Sequence, residues 1–190
     1  IARKVAGHCQ VRQDIVNQVM QQEHHSKRVT VLNWRPEKPR RWSKTNMSEL
    51  ARDRDAIRDL LAQYTYNGDR GRVAELAACF ADDGVLDYPG NTARGPAGIA
   101  AALSGGNGSK NPALTFIRHH ITNPLIELNG DTATARSYFT VHTDIGPDHS
   151  GTYSDALQRN ADGWRFATRK VRVDWQSPQS LFRPMASRKV

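Results

Sequence analysis

From residue 114 to residue 175 the chain alternates runs of strand-forming residues with tight turn signals, and this pattern limits its fold more than any other. Residues 114–128 read as one strand, Asn129-Gly130-Asp131 as a turn, and TATARSYFTVHTDI (132–145) as the strand returning beside it. GPDHS then reads as a loop. GTYSDALQR (151–159) and WRFATRKVRVDW (164–175), joined by an Ala-Asp-Gly turn, supply two further strands. Four strands joined by such short connections predict an antiparallel meander. Within the first, the alternation puts Ile117, His119, Ile121, Asn123 and Leu125 on one side, and His120 on the other.

Upstream the period changes. ELARDRDAIRDLLAQYTY places Leu50, Ile57, Leu60, Leu61 and Tyr64 at helical spacing, with a stop signal at Asn67-Gly68. VAELAACF reads as a second helix with Val73, Leu76, Ala77 and Phe80 on its apolar face. ADDG then turns the chain into GVLDYP, a short strand ending at Pro89. ARGPAGIAAAL reads as a third helix with Pro96 in its first turn, and SGGNGSKNP (104–112) as a loop long enough to act as a lid or rim. Helices segregated from a curved antiparallel sheet define the α+β class.

Charge separates the chain into two parts. Residues 1–46 carry ten Lys and Arg against three Asp and Glu; the remainder carries seventeen against sixteen. Of the net charge of +8, +7 therefore belongs to the N-terminal segment, which reads as a basic, disordered extension before a domain over 47–177 and a tail over 178–190. A short helix (14–23) and a short strand (28–34) are the only ordered elements it suggests. A near-neutral domain argues against nucleic acid as the partner of the fold itself. Cys9 and Cys79 are the only cysteines, which suggests a reducing, cytoplasmic setting without a disulfide framework. No apolar run is long enough to span a membrane, and no apolar core follows the basic N-terminus as in a secretory signal.

Among residues that could carry chemistry, His119 lies on the apolar side of its strand. It is either a hydrogen-bonded core histidine or a general base. Asp69, about fifty positions earlier at the end of the first helix, is either a turn residue or the carboxylate that orients such a base. Tyr64 sits on the inner helix face, where core packing is the alternative reading, and Tyr88 precedes Pro89. His142 alternates with Phe139 and Val141, which sets it toward the opposite face of the sheet. Arg172, on the last strand, meets either an anionic substrate group or solvent. No HxH or HxxxH spacing points to a metal site.

The strings IRDLLAQY, NGDRGR, LAACFADDGVLDY, RGPAGIAAAL, RHHITNPLIELNGDTATARSYF and GTYSDALQRNADGWRFATRKV occur in order over residues 48–177. Taken together they resemble the SnoaL-like branch of the nuclear-transport-factor-2-like superfamily. The resemblance implies a cone-shaped, curved antiparallel or mixed sheet wrapped round the N-terminal helices. In motif the chain is similar to scytalone dehydratase, bile-acid 7α-dehydratase and hexachlorocyclohexane dehydrochlorinase, which eliminate water or HCl with a His–Asp dyad and no metal. Carried over, the dyad falls on His119 and Asp69, with Tyr64 as a further catalytic position and Tyr88, His142 and Arg172 as substrate-binding candidates. The scytalone enzyme's second tyrosine, just before its Asp, is Gly68 here. The expectation is a cofactor-independent lyase or isomerase acting on a small hydrophobic ring-bearing substrate, assembled as a dimer or trimer. The competing expectation is a non-catalytic binding protein or accessory subunit on the same fold, for which a pocket filled by Trp164, Phe166 or Trp175 would be the sign.

Overall fold

The first helix, α1 (Lys44–Gly68), buries Ile57, Leu60, Leu61 and Thr65, a single stripe at 3.6-residue spacing, while Glu49, Arg52, Asp55, Arg58 and Asp59 face solvent. The structure, a computed structural model, describes residues 44–104 and 111–185, with side chains from Met47 onward. The basic N-terminal segment with its suggested helix and strand, Cys9, and most of the 104–112 loop lie outside the described residues. After α1, Gly71 adopts a positive φ of 67° and turns the chain into α2 (Val73–Ala77).

Phe80, expected on the second helix, instead opens strand β1 (Phe80–Tyr88). Helix α2 lasts five residues because Phe80 pairs with Phe166, and the Phe166 amide donates to the Cys79 carbonyl. Sheet hydrogen bonds replace helical ones there, and helical periodicity over so short a stretch could not foresee it. A short β2 (Asn91–Arg94) returns along β1, and α3 (Gly95–Ser104) follows with Ile99 buried. The meander is β3 (Ile117–Asn129), β4 (Thr132–Thr143), β5 (Gly146–Asn160) and β6 (Gly163–Gln176). The six strands lie in the order β2-β1-β6-β5-β4-β3, with β1 parallel to β6 and all other pairs antiparallel. This is the mixed form of the expected α+β sheet.

Two departures from the expected strands bear on the cavity. In β3 the register slips between Thr122 and Leu125, where Asn123 has φ 52° and Pro124 lacks an N–H to give a ladder. This bulge exchanges the faces of the strand. His119 and Ile121 point inward before it and Ile126 after it, whereas Leu125, expected inside, is 59 % exposed. In addition, GPDHS is not a loop. The turn is Asp144-Ile145, and β5 begins at Gly146, whose φ of 87° completes the hairpin.

The inner face of the sheet packs on the three helices through Leu76, Phe80, Leu86, Ile99, Ile126, Leu157, Trp164 and Phe166, among others. Each such aliphatic or aromatic side chain contributes roughly 1.5–3 kcal/mol on burial. A second, smaller cluster of Phe139, Val141, Tyr153 and Val173 lies farther along the same face, and Met185 of the C-terminal tail packs against it. Between these two clusters the core is not filled.

Candidate active site

Asp69 is the first residue beyond α1, and its amide still donates to the Thr65 carbonyl at 2.8 Å, so the helix end sets its position. Its carboxylate is almost completely enclosed and binds His119 twice. Oδ2 accepts from the His119 backbone N–H at 3.0 Å, and Oδ1 lies 2.6 Å from His119 Nδ1. A carboxylate only accepts, so Nδ1 carries a proton, and in the neutral ring Nε2 is the nitrogen with the lone pair. The first contact fixes the strand and the second the ring.

His119 lies on the wall of a cavity of about 280 Å³, whose apolar lining includes Leu86, Phe139, Val171, Val173 and Phe182. The volume is close to the low end of small-molecule sites. Tyr64 and Tyr88 also line it. The Tyr64 ring packs edge-on to Phe80, Tyr153 and Phe166, and burial pushes its phenol pKa up, so it stays protonated and able to donate. Tyr88 accepts from Asn91 Nδ2 at 2.9 Å, which leaves its own proton to give. Gly68, adjacent to Asp69, faces Leu76; an added Cβ would come within 3.1 Å of Leu76 Cδ1, so a side chain there requires the Leu76 side chain to give by a few tenths of an ångström.

Of the other sequence candidates, two lie elsewhere. His142 pairs across the ladder with Arg118, and its ring meets His120 at 5.0 Å on the outer face. Arg172 is exposed and donates to Asp174 Oδ1 at 2.7 Å. The period-two alternation accounts for both, since each neighbours a buried residue (Val141 and Val173) that faces inward. Trp164 and Phe166 are buried in the main core, and Trp175 is half exposed; none of the three fills the cavity.

Other lining residues were not singled out in the sequence. Tyr153 stacks on Phe139 at 4.5 Å, and burial pushes its hydroxyl pKa upward as well. Beneath Tyr64 and Tyr153 lies Arg169, wholly buried, held by two bonds to Asp155 at 2.8 and 2.7 Å. His149 lines the cavity with Nδ1 2.8 Å from Asp148 Oδ1. Burial pushes the His149 pKa down against the pull of Asp148. Burial would raise the Asp148 pKa, but bonds from His149, Ser180 and the Leu181 amide outweigh it and hold it below the usual carboxylate range. Those bonds also fasten the tail, which contributes Phe182, Arg183 and Met185 to the lining. The only sequence signal for this second pair was the adjacency of an acid and a histidine in a stretch that reads as a loop.

A curved mixed sheet closed by helices round one apolar cavity, with an oriented imidazole in its wall, defines a small-molecule-pocket protein of the nuclear-transport-factor-2-like type. The SnoaL-like domain matches residues 49–170, and the chain belongs to that family. Among solved structures it is similar to a nuclear-transport-factor-2-like protein with a cystatin-like fold from Novosphingobium aromaticivorans. Identity to that protein is 28 %, covering 74 % of this chain and 97 % of that one, with a TM-score of 0.62. The Mycobacterium tuberculosis protein of unknown function Rv3472 is 29 % identical over 67 % of this chain and 75 % of its own, with a TM-score of 0.59. A scytalone-dehydratase-like protein from Novosphingobium aromaticivorans shares the fold at 23 % identity, 75 % and 94 % coverage and a TM-score of 0.61. No curated protein matches by sequence. Among the described residues no helix is long and apolar enough to cross a membrane, and no group of three His, Cys, Asp or Glu could hold a metal ion.

Proposed function

We propose that the chain is a lyase or isomerase that works without a cofactor on a small hydrophobic, ring-bearing molecule, with His119 as the general base. The observation that carries this reading is the bidentate hold of Asp69 on His119 in the cavity wall. An Nδ1–H fixed on a carboxylate leaves Nε2 to take a proton from carbon, and the carboxylate stabilises the imidazolium as it forms. Tyr64 and Tyr88 line the same cavity and offer hydroxyl donors for a developing enolate oxygen. The apolar lining lowers the local dielectric, which strengthens each of these interactions. The scytalone-dehydratase-like neighbour makes dehydration the first reaction to screen.

The test is the tautomer of His119, read from ring nitrogen shifts in the wild type and in Asp69→Ala, with the signal assigned by His119→Gln. The wild-type ring is expected to hold its proton on Nδ1, and the variant to revert to the mixture of a free imidazole. An unchanged tautomer on loss of Asp69 would remove the oriented base, and with it the enzymatic reading.

A further inference from the structure

On the outer face of the sheet, away from the cavity, two further histidines meet. His120 in β3 and His142 in β4 are diagonal neighbours, since the ladder partner of His120 is Thr140 and that of His142 is Arg118. Their rings stand 5.0 Å apart, centroid to centroid, with planes at 77°. Coming from different strands, they show no metal-ligand spacing in the sequence. The other two histidines of the sheet, His119 and His149, each have Nδ1 held by a carboxylate. Neither His120 nor His142 has a hydrogen bond among the described residues.

His142 Nδ1 is shut off from solvent and has no partner. A ring nitrogen in that position is unfavourable in either tautomer, because its N–H or its lone pair is desolvated without compensation. Protonating both rings would only set two cations side by side. Arg118, the ladder partner of His142, is exposed and donates from Nη1 to the Ile117 carbonyl at 2.6 Å. It also lines a groove beside α1, so its charge is drawn toward the edge of β3 rather than over the histidines.

We propose that His120 and His142 form a binding site for a divalent transition-metal ion of the zinc, copper or nickel class, which ties β3 to β4. Neutral imidazole is a preferred ligand of these ions. Nitrogens roughly 2.1 Å from one tetrahedral ion place the two ring centroids about 5 Å apart, which is the separation found. His120 is exposed, so turning its ring about χ2 toward the shared point meets solvent rather than packed side chains. His142 Nδ1 gains the ion as its partner. Water takes the remaining positions, since no third His, Cys, Asp or Glu joins the pair among the described residues. The site is on the opposite face from the cavity, so the ion takes no part in chemistry at His119. Its effect is on the strand. The His119 amide donates to Asp69, away from β4, so the amides of Arg118 and His120 are the ones that face β4. An ion held by both rings bridges the strands at these positions, before the bulge that follows Thr122, and steadies the stretch that carries His119.

The experiment titrates zinc chloride into the full chain, free of any affinity tag, at about pH 7.5, above the pKa of a free imidazole. NMR follows the ring signals of His120 and His142, each assigned by its own His→Asn variant. Signals from His8, His24 and His25 report separately on zinc held by the N-terminal segment. The His120 and His142 signals are expected to move together, with one dissociation constant. His120→Asn is expected to raise that constant at His142 by about tenfold or more, since even loss of an outer-shell partner costs that much. Amide exchange at Arg118 and His120 should slow with zinc in the wild type, and exchange at Arg118 should not slow in His120→Asn. Rings that do not respond, or that respond at different zinc concentrations, overturn the site. So does an unchanged constant at His142 in His120→Asn, a substitution at an exposed position that leaves the core intact. Unchanged amide exchange on zinc binding overturns the tie between the strands.

Discussion

Replacing Asp155 with alanine tests how the cavity floor is held. The Arg169 guanidinium has no exposure, donates to both Asp155 oxygens, and has one nitrogen, Nη1, with no hydrogen-bond partner. Its carbon lies 4.2, 4.3 and 4.1 Å from the ring centroids of Tyr64, Tyr153 and Phe166. Three π faces attract the cation, each by up to about 2 kcal/mol when desolvated, but they accept few of its N–H bonds. Asp155→Ala therefore leaves a buried, unpaired charge, and breaking such a pair costs about 3–5 kcal/mol. That is a large share of the roughly 5–15 kcal/mol that stabilises a domain. The double variant Asp155→Leu with Arg169→Met removes both charges and fills the volume, so it should lie close to the wild type or above it. Urea unfolding reads both, as a shift in midpoint at unchanged slope. A loss below about 1 kcal/mol for the single variant, or a double variant worse than the single, would refute the claim that the pair acts through mutual desolvation.

Acidification should loosen the C-terminal tail before the domain unfolds. The folded pKa values of His149 and Asp148 are both depressed, so the unfolded chain binds more protons and stability falls as pH falls. The His149 contribution is lost on descending from about pH 6.5 and the Asp148 contribution from about pH 4; faster proteolysis within residues 177–185 between pH 7 and pH 5 would report the first, and an unchanged rate would contradict it. Gly151→Ala should destabilise the sheet by more than about 1–3 kcal/mol. A Cβ at the β5–β6 irregularity would drive into the Arg172 carbonyl oxygen, which is backbone and cannot move aside. A variant with wild-type urea midpoint would show that the two strands can separate there at little cost.

Local periodicity determined much of this protein. The stripe of Ile57, Leu60, Leu61 and Tyr64 specifies a helix, and strict alternation from Thr132 to Thr143 specifies a strand and which of its side chains turn inward. The same alternation already set His142 against Val141, and the structure has His142 on the outer face. Asp69 and His119 could be singled out because a helix stop and a strand start each occur next to a residue able to do acid–base work. Tertiary structure decided the rest. Phe80 became a strand residue because a parallel partner, β6, was available more than eighty positions away in sequence. Leu125 turned outward because one left-handed residue, Asn123, shifted the register, and a single slip in a period of two exchanges every later side chain. His149 became a wall of the cavity because GPDHS, rich in turn-forming residues, was drawn into β5 by ladder bonds to β4 and capped by a tail from beyond the last strand. Contacts between residues distant in sequence have no period, so they leave no pattern for a reader of the sequence, and the second histidine of the cavity depends on them.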